Sequence, residues 1–166
     1  MPELKPITLA GVPAALQKAN RYRLLNDSAA AESICQDILL VDPTNVDAII
    51  THVLAISDQF AESMGDSLAR SRDAVAHLTD PYRHAYYNGI ICERWAKAIL
   101  RRGMARSEEA AYDWFMKAMS WYEKAEALRP EGNDESILRW NTCVRVMARN
   151  PRIRESEAEV YVPDLE

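Results

Sequence analysis

Several features that would indicate a particular chemistry are missing from the 166 residues of this sequence. Only five glycines occur, and they form no glycine-rich loop of the kind that cradles a phosphate group. The G-x-S-x-G pattern of serine hydrolases is absent, as are the C-x-x-C, H-E-x-x-H and E-x-x-H patterns of metal sites. We therefore expect that the protein is not an enzyme, and that it holds neither a metal ion nor a cofactor. Hydrolysis within a helical bundle is the remaining enzymatic alternative.

Long apolar runs and paired cysteines are also lacking. No apolar stretch approaches the ~20 residues that cross a bilayer, and the first residues lack the charged start and apolar run of a signal peptide. The cysteines are odd in number, widely spaced and set among apolar neighbours, as is typical of reduced, buried thiols: Cys35, Cys92 and Cys143. Together these absences predict a cytoplasmic protein without a membrane segment.

The sequence has no concentrated basic segment. Its net charge is -5, and the acids of the last twelve residues, which contain no base, account for all of it: Glu155, Glu157, Glu159, Asp164 and Glu166. A neutral body lacks the basic face that displaces counterions from nucleic acid, so we expect no nucleic-acid partner. Residues 151–166 are predicted to form an acidic, solvated C-terminal tail. A second hypothesis is that this tail docks on its own or a neighbouring molecule, which would allow a homodimer.

What the sequence does contain is helical periodicity. Residues 1–13, with three prolines, are predicted to be an extended lead-in, and residues 14–150 are predicted to form one all-α domain of about seven helices. The expected helices are 14–25, 28–42, 45–62, 67–79, 81–102, 107–128 and 135–149. Ser28, either Thr44 or Asn45, and Asp80 are the expected caps, and Gly103 is the expected stop signal. Because the connections are short, neighbouring helices should form antiparallel hairpins.

Small residues, aromatics and prolines recur along these helices. Residues 12–45 place Ala19, Tyr22, Ala31 and Pro43 at the spacing of one tetratricopeptide repeat, and this unit resembles that family. Later segments repeat the pattern in longer versions, with Ala69, Ala76 and Pro81, and with Gly89, Ala118, Tyr122, Ala125 and Pro130. Lys18, Ala15 and Cys35 depart from the motif, and a plain helical bundle is the alternative. The resemblance implies a stack of helix pairs with close packing at the small residues.

The resemblance also implies a binding site. In that family the first helix of each pair lines a concave groove that takes an extended peptide or a helix. Carried over to this chain, the groove residues are Asn20, Arg23, Thr51, Arg83, Tyr87 and Arg94. Leu16 and Thr51 replace residues of the clamp by which some members grip carboxylates, so that specific activity is not implied.

The last predicted helix adds two further candidates. Arg139 and Asn141 flank Trp140, and arginine and tryptophan are favoured at binding hot spots. We predict a non-catalytic scaffold for a protein or peptide partner of unknown identity. The alternative is a small-ligand sensor with an apolar pocket between the aromatic-rich fifth and sixth helices.

Overall fold

The computed structural model describes residues 2–156, and within them the chain forms seven α-helices, a short 3-10 helix and no strand. The 3-10 helix spans Leu9–Gly11, and the α-helices are α1 (Val12–Leu24), α2 (Ser28–Val41), α3 (Val46–Asp58), α4 (Ser67–Val75), α5 (Pro81–Arg102), α6 (Ser107–Leu128) and α7 (Glu135–Arg149). The predicted all-α class and the number of helices are confirmed.

The helix ends follow from short polar side chains and one glycine. Asn45 caps α3 by accepting a hydrogen bond from the Ala48 amide at 2.9 Å, and Asp80 caps α5 in the same way. Asp27, rather than the expected Ser28, caps α2. Gly103 ends α5 at a φ of +59°, a left-handed conformation that costs glycine nothing. Three helix starts and one helix end are thus set by short polar side chains and by one glycine.

Three boundaries differ from the prediction. Helix α1 begins at Val12 and not at Ala14. Pro13 fits in the first turn, because the backbone N–H that proline lacks would have no hydrogen-bond partner within the helix at that position. The lead-in is also not wholly extended, since it contains the 3-10 turn before α1. Helices α3 and α4 end earlier than expected, at Asp58 and Val75, because the chain beyond each tightens into i→i+3 hydrogen bonds.

Helices that follow one another in the chain pack side by side, and the short connections make them antiparallel. The contact of α5 with α6 is the most extensive in the structure. Contacts of α1 with α3, and of α3 with α5, bring the odd-numbered helices together as a layer of their own. An ion pair between Arg139 of α7 and Glu93 of α5 extends that layer to the last helix.

The interior is filled where the small residues were expected to let helices approach. Ala19, Ala31, Ala118 and Tyr122 have no exposed surface. Gly89 of α5 lies directly against the ring of Tyr122 of α6: a Cβ atom on Gly89 would sit 2.4 Å from ring atom Cε1. The predicted close packing is therefore found at this crossing.

Candidate functional site

Polar side chains join the odd-numbered helices across one face of the molecule. On this face the Thr51 hydroxyl of α3 donates to the Asn20 side chain of α1 at 3.2 Å. Further along, Arg23 of α1 donates to Asp58 at 2.8 Å, and Arg94 of α5 donates to the other Asp58 oxygen at 2.6 Å. We call this surface of α1, α3, α5 and α7 the odd-helix face. One carboxylate on it bridges arginines from two different helices.

Arg94 is held in place by further acceptors. Its Nη1 atom also donates to the Ser57 hydroxyl at 2.7 Å and to the Leu54 carbonyl oxygen at 3.0 Å. Burial lowers the pKa of Arg94 from its usual value, and the nearby Asp58 carboxylate acts in the opposite direction. The guanidinium is thus partly withdrawn from water and oriented by α3.

Glu93 is the second carboxylate of this face and has no exposed surface. It accepts from the Lys97 ammonium at 2.5 Å, from Arg139 of α7 at 3.3 Å and from the Tyr122 hydroxyl at 2.7 Å. Burial raises the pKa of Tyr122 well above its usual range, and Glu93 raises it further. A buried carboxylate needs such partners, because an unpaired charge is costly away from water. Glu93 therefore ties α5 to both α6 and α7.

A cavity of about 270 Å³ opens on the odd-helix face where α3, α5 and α7 meet. Its walls carry the two carboxylates and four cations, and smaller residues complete them: Asp58, Glu93, Arg94, Lys97, Arg101 and Arg139, with Ser57, Phe60, Ala61 and Ala98. The cavity is the most strongly charged part of this face. We refer to it as the cationic cavity.

Five of the eight predicted site residues meet on this face, namely Asn20, Arg23, Thr51, Arg94 and Arg139. Arg83 is exposed at the first turn of α5, near the half-buried Tyr87, whose pKa burial raises to about 12. Asn141 does not lie beside Arg139, because residues two apart point to different sides of a helix. That Arg139 and Asn141 each contact a partner stays a prediction.

The acids and two further cations of the cationic cavity were not predicted as site residues. Glu93 could have been found, since it interrupts the small and apolar positions of α5 that face α6. Asp58 lies seven residues after Thr51, on the same side of α3, and this spacing was the available signal. Lys97 and Arg101 gave no signal of their own, because exposed cations on helices are common.

A second cavity, of about 400 Å³, lies between α2, α3 and α4. Its lining includes Glu32, which accepts from Arg70 and from Gln59 at 2.8 Å each. His52 also lines it; its Nε2 atom is buried without a hydrogen-bond partner, and burial lowers its pKa. By contrast, Tyr122 fills the contact of α5 with α6 at Gly89, where the sequence analysis placed an apolar pocket.

Residues 2–156 contain neither a metal-binding cluster nor a membrane-spanning helix. No group of three or more His, Cys, Asp or Glu side chains is arranged to hold a metal ion within this range. None of the described helices is both long enough and apolar enough to cross a membrane. The predicted acidic tail spans residues 151–166, and residues 157–166 lie outside the described part of the chain. The docking of this tail therefore stays a prediction.

Comparison of the chain with protein-family models, with curated proteins and with solved structures gives no match. The fold is therefore defined by the helices themselves, as an all-α protein of packed antiparallel helices. The resemblance to tetratricopeptide repeats stays a prediction.

Proposed function

We propose that this chain is a non-catalytic protein-binding scaffold that holds a peptide or a helix of its partner against the odd-helix face. The observation that carries the proposal is the convergence of five predicted site residues from four helices on that one face. A surface shared by four helices is long enough to receive an extended segment, as stacked helix pairs commonly do.

The chemistry of the face suits recognition of another protein. Arg94, Lys97 and Arg139 keep between about a fifth and a third of their side chains exposed, although each is oriented by an ion pair. Side chains that are already ordered lose little conformational entropy when a partner binds. The aromatic rings of Tyr82, Tyr86 and Tyr87 lie together on the same helix, α5, and provide apolar contact area beside the charges.

An affinity capture with matched variants tests this proposal. The purified, immobilised chain is used to capture proteins from native lysate, and the bound proteins are identified by mass spectrometry. The test variant carries Arg23→Gln and Arg94→Gln, two of the five predicted residues that meet on the odd-helix face. The control carries Arg145→Gln and Arg149→Gln, two exposed arginines of α7 that line neither cavity.

We expect a partner that binds the wild-type chain and the control variant but is lost, or bound at least about tenfold more weakly, with the test variant. Circular dichroism must show that both variants keep their helical content. Captured proteins that bind all three chains equally would contradict the proposal, because binding would then not involve the odd-helix face.

The cavity between α2, α3 and α4 supports a second candidate function, the binding of a small molecule. It combines apolar walls from Leu39, Ile49 and Ile56 with the unpartnered Nε2 atom of His52. Charged side chains, among them Glu32, Arg70 and Asp73, complete the lining, and pockets of a few hundred Å³ that combine apolar walls with placed polar groups commonly bind small ligands. Ala74→Phe would fill this cavity, so a compound that raises the melting temperature of the wild type, but not of this variant, would favour the second candidate.

A further inference from the structure

The cationic cavity carries more positive than negative charge. Four of its lining residues are cations, Arg94, Lys97, Arg101 and Arg139, whereas only two are acids. Arg23, which shares Asp58 with Arg94, adds a fifth cation at the edge. The chain as a whole has a net charge of -5, so this local excess runs against the overall balance.

The two acids of the cavity are already shared. Asp58 bridges Arg23 and Arg94, and Glu93 bridges Lys97 and Arg139 while also accepting from Tyr122. Each internal carboxylate thus serves two cations. Arg101 is exposed and forms no ion pair or hydrogen bond with any residue of the range 2–156. The cavity therefore has unused donors, since a lysine ammonium offers three N–H groups and an arginine offers five.

The spacing of these cations indicates the size of the matching ligand. Arg94, Lys97 and Arg101 lie at i, i+3 and i+7 on α5, so the first and last are about 10 Å apart along the helix axis. An extended chain covers that length in about three residues, and its alternate side chains are about 7 Å apart. Two or three acidic side chains in one short segment would match the row of cations.

From this geometry we infer that the partner segment bound at the odd-helix face is acidic, and that it places at least two carboxylates in the cationic cavity. The inference rests on the proposed scaffold function and adds the chemistry of the partner. Carboxylates from outside would supply the negative charge that Asp58 and Glu93 provide only in part. Arg101 is the residue we expect to contribute most to this selectivity, because it shares no acid within residues 2–156.

The cavity suits a peptide better than a nucleic acid. Nucleic-acid binders neutralise many phosphates along a continuous basic face. Here the excess is confined to a cavity of about 270 Å³, and its walls include Asp58 and Glu93. A cavity of this size can receive two or three carboxylates of one short segment, whereas it offers no extended basic track for a run of phosphates.

Fluorescence anisotropy with the full chain and labelled hexaglutamate tests the inference. The matched probe is labelled hexaglutamine, which has nearly the same shape and no charge. We expect hexaglutamate to bind at low salt, to weaken as the salt concentration rises, and to bind more tightly than hexaglutamine. Arg101→Gln should weaken binding about two- to fivefold, and Arg101→Glu should weaken it further, whereas Arg149→Gln should have no effect.

Three results would overturn the inference. Hexaglutamine could bind as tightly as hexaglutamate, Arg101→Gln could be no weaker than Arg149→Gln, or inorganic phosphate or an oligothymidylate could displace hexaglutamate at concentrations that mark it as the better ligand. Arg101 is exposed, so its substitution should leave the fold intact, and circular dichroism verifies this. If the affinity capture depends on Arg23 and Arg94 while hexaglutamate fails to bind, the acidic-partner inference falls and the scaffold function stands.

Discussion

Replacing Gly89 with alanine probes the close approach of α5 to α6. The added Cβ atom would lie 2.4 Å and 2.6 Å from ring atoms Cε1 and Cδ1 of Tyr122. Carbon atoms in favourable contact are about 3.5–4.0 Å apart, so the ring or the helix must move by about 1 Å. The ring has little freedom to move, because it is fully buried and its hydroxyl donates to Glu93 at 2.7 Å.

The expected size of the effect follows from two opposing contributions. Overpacking a well-filled interior costs about 1–3 kcal/mol, and a displaced Tyr122 would also weaken its hydrogen bond to a charged acceptor, worth about 1.5–3 kcal/mol. Alanine in a helix interior is favoured over glycine by about 1 kcal/mol. If about half of the hydrogen-bond energy is retained, Gly89→Ala should lower the free energy of unfolding by about 1–3 kcal/mol.

Urea denaturation followed by circular dichroism measures this change. Gly65→Ala is the matched control, since a Cβ atom there would meet nothing within 4 Å and the residue has no positive φ. It should not lower stability. In a Tyr122→Leu background the penalty of Gly89→Ala should shrink, because the clashing ring is gone. If Gly89→Ala instead raises stability by about 1 kcal/mol, helix propensity alone governs this position and the close packing is refuted.

Three further predictions concern buried ionisable groups. Glu93→Gln should lower the free energy of unfolding by about 2–3 kcal/mol in urea denaturation. The reason is that Lys97 and Arg139, which both reach solvent, lose their counter-charge. An effect no larger than that of Glu126→Gln, at an exposed residue, would contradict this prediction. Burial lowers the pKa of His52 below its usual 6.5, so its neutral form stabilises the fold above pH 6.5 and this contribution is lost as the pH falls below that value. His52→Gln should therefore lose less stability than the wild type between pH 7.5 and 5.5, and an unchanged pH dependence would be evidence against this role. Burial raises the pKa of the Cys35 and Cys143 thiols to about 12 and that of Cys92 to about 11. A disulfide reagent at pH 8 should therefore react with these cysteines only after unfolding. Rapid reaction of the native protein would disprove their burial.

The helices could be predicted well where local chemistry decides their ends. Asn45, Asp80 and Gly103 act within one turn of the backbone, so their roles can be seen in the sequence. The early ends of α3 and α4 could not, because they depend on i→i+3 hydrogen bonds that compete with α-helical ones at nearly equal energy. Residue types therefore predict where the helices lie, whereas their last residues depend on the small energy difference between i→i+3 and α-helical hydrogen bonds.

The helix that carries each candidate site residue could be predicted from the sequence, whereas the side chains that it contacts could not. Asn20, Thr51 and Arg94 were named from the resemblance to helical repeats, in which the first helix of each pair lines the groove. The partners of these residues depend on how helices that are distant in sequence are placed side by side. Asp58 lies 35 residues from Arg23 and 36 from Arg94. No local sequence pattern therefore predicts that its carboxylate accepts hydrogen bonds from both arginines.

The extensive contact of α5 with α6 also bears on how the molecule opens. In a stack where each helix mainly touches its neighbours in sequence, local stability follows local packing, and terminal elements open first. Amide hydrogens in the middle of α5 and α6 should then exchange with deuterium most slowly, and those of α1 most quickly. A partner bound across the odd-helix face would contact both α1, which opens early, and α5, which exchanges slowly. Its binding should therefore slow the exchange of amide hydrogens in α1.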